Sequence, residues 1–117
     1  MTGLSITVTA LPAEGGACTV IHLAGEADLT SAALRDALAA QISARPRLLL
    51  VEMHAVTFID SAATQMILSA RRVLHGEGGT IALVSPAPAV ARVLRLLGVD
   101  TVIPVYSTIH DAITSPG

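Results

Sequence analysis

Several things are scarce in this chain, and each scarcity closes off a class of function. Of its 117 residues only Cys18 is a cysteine, so neither an internal disulfide nor a cysteine metal cluster is available. Phe58 and Tyr106 are the only aromatic side chains, which removes the stacking platforms that nucleic-acid binders use. Charged residues make up 14%, the net charge is -2 and no basic patch is present, so direct nucleic-acid binding is not expected. No apolar run reaches the ~18 residues that would cross a bilayer, and membrane insertion is not expected either. Met1-Thr2-Gly3-Leu4 lacks the basic start and apolar core of a secretion signal. These absences together lead to the expectation of a cytoplasmic protein.

What is plentiful is aliphatic. Hydrophobic residues make up 52%, mainly Ala, Val, Leu and Ile, enough for one core in a single domain spanning 1-117. Such a composition argues against disorder and suggests a partly apolar surface suited to a partner.

The chain alternates strand and helix signals. Leu4 to Ala10 alternates apolar and polar, Pro12 to Gly16 reads as a turn, and Cys18 to Ala24 resumes the alternation. This predicts a hairpin. Gly25 to Thr30 breaks the pattern, and Thr30 or Ser31 can cap the helix that follows. Ala33, Leu34, Ala37, Leu38 and Ile42 give that helix one apolar stripe, and Arg45-Pro46-Arg47 ends it. Leu48 to Met53 is a short continuous apolar run, which predicts a central strand covered on both faces. His54 to Ile59 then connects it to Asp60-Ser61. Ala63, Met66, Ile67, Ala70, Val73 and Leu74 predict the buried face of the next helix, with Arg71, Arg72 and His75 toward its polar side or C-terminal end. Gly76 to Gly79 stops it. Thr80 to Val84 predicts a strand, and Ser85-Pro86-Ala87-Pro88 opens a helix with a Val90, Val93, Leu94 and Leu97 stripe ended by Gly98. Val102 to Tyr106 predicts a short edge strand, and Thr108 to Ile113 a final helix. The order β-β-α-β-α-β-α-β-α implies an α/β fold with a mixed, mostly parallel sheet of four to five strands and about four helices.

The richest stretch runs from Val56 to Leu68, where an apolar segment gives way to Asp60-Ser61 and a helix begins. A serine hydroxyl there lies near free backbone N–H groups, a setting that suits an anion such as phosphate. Either Ser61 is phosphorylated and the domain is a switch, or Ser61 is a plain helix cap and the domain is a docking module. Asp60 can also be the cap, which would leave Ser61 more exposed.

Other motifs are weaker. His22, His54, His75 and His110 lack ligand spacing, so no metal site is expected. Gly76 to Gly79 follows a helix and lacks the Lys and Ser/Thr of a P-loop, so no cofactor is expected. Ser61 has no Gly-x-Ser-x-Gly elbow and no histidine placed as its base, which argues against an enzyme.

Taken with Gly25-Glu26-Ala27-Asp28, Phe58-Ile59-Asp60-Ser61 and Gly78-Gly79, the pattern resembles the STAS domain of bacterial anti-sigma factor antagonists. Ala82 to Pro86 and Val93 to Gly98 add to the resemblance, which covers nearly the whole chain. It implies a STAS-like single domain that binds an anti-sigma factor, itself a serine kinase of the GHKL type, and so frees a sigma factor. Phosphorylation of Ser61 would release the partner and a phosphatase would reset the switch. The resemblance places partner contacts on Glu26, Asp28, Asp60, Ser61, Ala62, Ala63 and Gln65. The family usually follows Asp-Ser with Ser or Thr, Gly and Leu, whereas here Ala62, Ala63 and Thr64 follow. That departure keeps an alternative open: a phosphorylation-independent scaffold or docking subunit, for example of a lipid-transport ATPase complex. A small-ligand or nucleotide sensor is a third class, and self-association is left open.

Overall fold

The computed structural model describes residues 3–11, 17–28 and 32–115. Its elements are β1 (Leu4–Leu11), β2 (Cys18–Ala27), α1 (Ala32–Ser43), β3 (Leu48–Ile59), α2 (Ser61–Gly76), β4 (Thr80–Val84), α3 (Pro88–Leu96), a 3-10 turn (Val99–Thr101), β5 (Val105–Tyr106) and α4 (Ile109–Thr114). The expected order of elements is the observed one. The turn expected at residues 12–16 and the cap expected at Thr30 or Ser31 lie outside the described residues.

The strands stand side by side in chain order, β1-β2-β3-β4-β5. β1 and β2 pair antiparallel and every later pair is parallel. Each parallel crossover therefore steps the same way, and right-handed crossovers stepping one way put their helices on one face. Packing agrees: Leu34 and Leu38 of α1, Ile67 and Leu74 of α2, and Val90 and Leu94 of α3 share one core with Ile21, Leu49, Val51 and Leu83. The opposite face is covered at one end by α4, where Ala112 and Ile109 pack on Cys18, Val20, Leu50, Ala82 and Val84. Leu49, Leu50, Val51 and Met53 are all fully buried, as a strand covered on both faces requires.

Both inner strands run further than the sequence suggests. β2 continues through Gly25 to Ala27, and β3 continues through the expected connection to Ile59. The reason is two register shifts. His22 pairs with Glu52 but Ala24 with Ala55, and Gly25 pairs with Val56 but Glu26 with Phe58. Each shift inserts one extra residue into β3, a bulge that reverses which face later residues present. Met53, Val56 and Ile59 therefore all reach the same core at three-residue steps, where an ordinary strand would need even steps. Gly25 has φ +103, a conformation that side chains with a Cβ rarely adopt, and a Cβ there would run into the Gly3 carbonyl oxygen.

Three further corrections concern exposure and extent. Ala33, Val73 and Leu97 are exposed although they continue apolar stripes. The last strand is only Val105–Tyr106, because Gly98 ends α3 left-handed and Val99–Thr101 coil into a 3-10 turn. Val99 of that turn is buried, and so is Ile103 just after it.

Candidate functional site

The candidate site is the corner where β3 hands over to α2. Ile59 is buried and ends the strand. The Asp60 N–H donates to the Ala27 carbonyl at 3.1 Å, which ties the corner to the end of β2. Asp60 itself is extended, and its Oδ1 accepts from the Ala63 N–H at 2.8 Å. Its carbonyl accepts from both the Thr64 N–H and the Thr64 hydroxyl. Asp60 is thus the N-cap, and an acidic cap also opposes the positive end of the helix.

The cap assignment decides the state of Ser61. Of the two candidate caps it is Asp60 that serves, and Ser61 is the first residue of α2 and is exposed. As the first residue of α2 it stands at the helix mouth, where the leading N–H groups of a helix have no carbonyl of their own helix to bond. Such a position accepts an added anion at little cost to the fold.

The other expected contact residues fall into two groups. Glu26 and Asp28 flank Ala27, whose carbonyl holds Asp60, so both acids lie at the same corner. Gln65 is exposed and Ala62 half-buried. Ala63 does not belong with them. Its side chain is fully buried in the helix-side core, so it cannot touch a partner. The reason is helical geometry: position 63 sits on the face of α2 shared with Ile67, Ala70 and Leu74. The methyl that distinguishes this chain from the family's usual glycine fills core space and leaves the outer surface unchanged.

Two features escape a sequence reading. Phe58, paired with Glu26 across the β2–β3 ladder, is 48% exposed and lies near the corner. Glu52 is buried on the α4 side of the sheet and is held by its neighbours. Its carboxylate accepts from the His54 N–H at 2.8 Å, meets His54 Nδ1 at 2.8 and 2.9 Å, and lies 3.7 Å from His22 Nδ1. These residues line an open cavity of about 350 Å³ together with Ser85, Thr108 and Ile109. The two-residue spacing of Glu52 and His54 along one strand is the signal for half of this cluster, whereas His22 joins through strand register alone. Among the described residues no group of three His, Cys, Asp or Glu side chains is arranged to hold a metal ion. Among the described residues no helix is long and apolar enough to cross a membrane.

The sequence matches the STAS domain over residues 10–112. It is 34% identical over 111 residues to the anti-sigma-F factor antagonist RsfB of Mycobacterium tuberculosis, covering 94% of this chain and 88% of RsfB. The crystal structure of an anti-sigma factor antagonist from Mycobacterium paratuberculosis superposes with a TM-score of 0.79 at 32% identity, covering 94% of this chain and 92% of the other. The Bacillus cell fate determinant SpoIIAA in its phosphorylated form has a TM-score of 0.69 at 22% identity, covering 93% and 96%, a likeness of fold. The chain belongs to the STAS domain family.

Proposed function

We propose that this domain is an anti-sigma factor antagonist whose partner binding is switched by phosphorylation of Ser61. Unphosphorylated, it binds an anti-sigma factor that is also a serine kinase of the GHKL type, and a sigma factor is freed. Phosphorylated, it lets go, and a phosphatase restores it. The names of RsfB and of the Mycobacterium paratuberculosis protein support antagonism of an anti-sigma factor. The observation that carries the switch is that Asp60 caps α2 and leaves Ser61 exposed at its first position.

Phosphate would add about -1.5 to -2 charges and three acceptor oxygens. The helix mouth supports that charge, so the fold should tolerate it. The partner interface should not, because the dianion would be desolvated beside Glu26, Asp28 and Asp60. A loss of ~3 kcal/mol is more than a hundredfold in affinity. The scaffold alternative draws on the altered motif Ala62-Ala63-Thr64, and the burial of Ala63 takes that one position out of reach of a partner. Ser61→Asp should abolish binding to the anti-sigma factor, while Ser61→Ala should bind and fail to switch. Wild-type affinity in Ser61→Asp would refute the proposal.

A further inference from the structure

The helix layer is not closed between α1 and α2. A groove of about 340 Å³ runs there, with Leu38, Ile42, Met66 and Val73 along it. Small side chains at Ala39, Ser69 and Ala70 keep its walls low. Val73 is 49% exposed, and Met66 and Ile42 are half-buried, so sizeable apolar surface faces solvent. The outer side of α1 is equally bare. Of its twelve residues only Arg35 and Asp36 are charged, and Ala32, Ala33, Ala39 and Ala40 are exposed. A surface helix ordinarily turns a polar face to water.

The groove also has a direction. Arg35 and Ala62, both in the first turn of their helices, line it together with Gln65, while Ile42 and Val73 belong to the later turns. The two helices thus start at the same end, and the groove opens beside Ser61. Arg35 is its only charged lining residue and makes no ion pair among the described residues.

We propose that this groove seats an amphipathic helix of the anti-sigma factor, with apolar anchors along Ile42, Met66 and Val73 and a carboxylate opposite Arg35. The inference rests on the reading of Ser61 as the contact point for that partner. Continuity with Ser61 and the lone cation at the same end select this occupant. They also explain how the switch would reach the groove. A phosphate on Ser61 would stand at its mouth, repel the incoming carboxylate and compete with it for Arg35.

The test uses the full chain and the anti-sigma factor of its own organism, with affinity measured by titration calorimetry. Ser69→Arg fills the groove from an exposed position, and Arg35→Gln removes the cation. Ser69→Arg should bind about tenfold more weakly or worse, and Arg35→Gln several-fold more weakly, both with wild-type circular dichroism. Binding by folded Ser69→Arg within twofold of wild type would overturn the groove. So would an effect of Ser69→Arg on self-association in sedimentation with partner affinity unchanged. Ser61→Asp measured alongside separates the two readings. Loss in Ser61→Asp with none in Ser69→Arg sinks the groove and spares the switch, whereas wild-type affinity in Ser61→Asp sinks the reading of Ser61 on which the groove proposal rests.

Discussion

The carboxylate of Asp60 accepts the Ala63 N–H at 2.8 Å, and this one bond frees Ser61 from capping α2. Two residues that could each have started the helix have divided the work between them. The acidic one holds the backbone and the hydroxyl faces solvent. Asp60→Ala should therefore destabilise the domain by ~1 kcal/mol, the usual cost of a lost cap. Ser61→Ala should stay within about 0.5 kcal/mol of wild type, as an exposed residue outside any such contact does. Urea unfolding midpoints compare the two directly, and a larger loss in Ser61→Ala would reverse the assignment.

Restoring the family's glycine tests the place of Ala63. Ala63→Gly should cost about 1 kcal/mol from helix propensity alone, with some loss of packing added. It should leave the rate of Ser61 phosphorylation by the kinase unchanged, because the lost methyl faces the core. A several-fold faster rate would show that the methyl obstructs the kinase.

Gly25 holds the end of β1 against the second bulge. Gly25→Ala forces a Cβ into a positive-φ position and against the Gly3 carbonyl, which also accepts the Glu26 N–H. The loss should exceed about 1 kcal/mol. Hydrogen exchange at the Glu26 amide should accelerate. Wild-type stability in this variant would mean that β1 is not packed as described.

Burial pushes the Cys18 thiol above its ordinary value of 9.0, because the thiolate would be desolvated between the sheet and α4. The unfolded chain gives up this proton first as the solution is made alkaline. The thiol's contribution to stability is therefore intact below the ordinary value and shrinks as pH rises through it. Unfolding curves from pH 7 to 10 should show a decline that is shallower in Cys18→Ala. Iodoacetamide should label native Cys18 slowly at pH 8, and rapid labelling would contradict its burial.

Element order was readable because the punctuation is local. Gly98, the stretch from Ser85 to Pro88 and the run from Leu48 to Met53 each mark a boundary or a buried strand without help from elsewhere. The end of β3 was not readable, because two bulges shift its parity and only the partner strand reveals them. The same holds for the His22–Glu52–His54 cluster, which depends on register between strands 30 residues apart in sequence. Val73 fits an apolar stripe, yet it lines the open groove between α1 and α2, which periodicity along one helix does not reveal. At the site itself Asp60-Ser61 was legible as a helix start. Which of the two caps depended on where β3 stops.

Phosphate transfer to Ser61 is the central claim, and intact-mass spectrometry tests it most directly. The purified chain is incubated with its anti-sigma factor kinase and ATP, beside Ser61→Ala. The expected result is one added phosphoryl group on the wild type and none on the variant. An unmodified wild type, or the same gain on Ser61→Ala, would contradict the account.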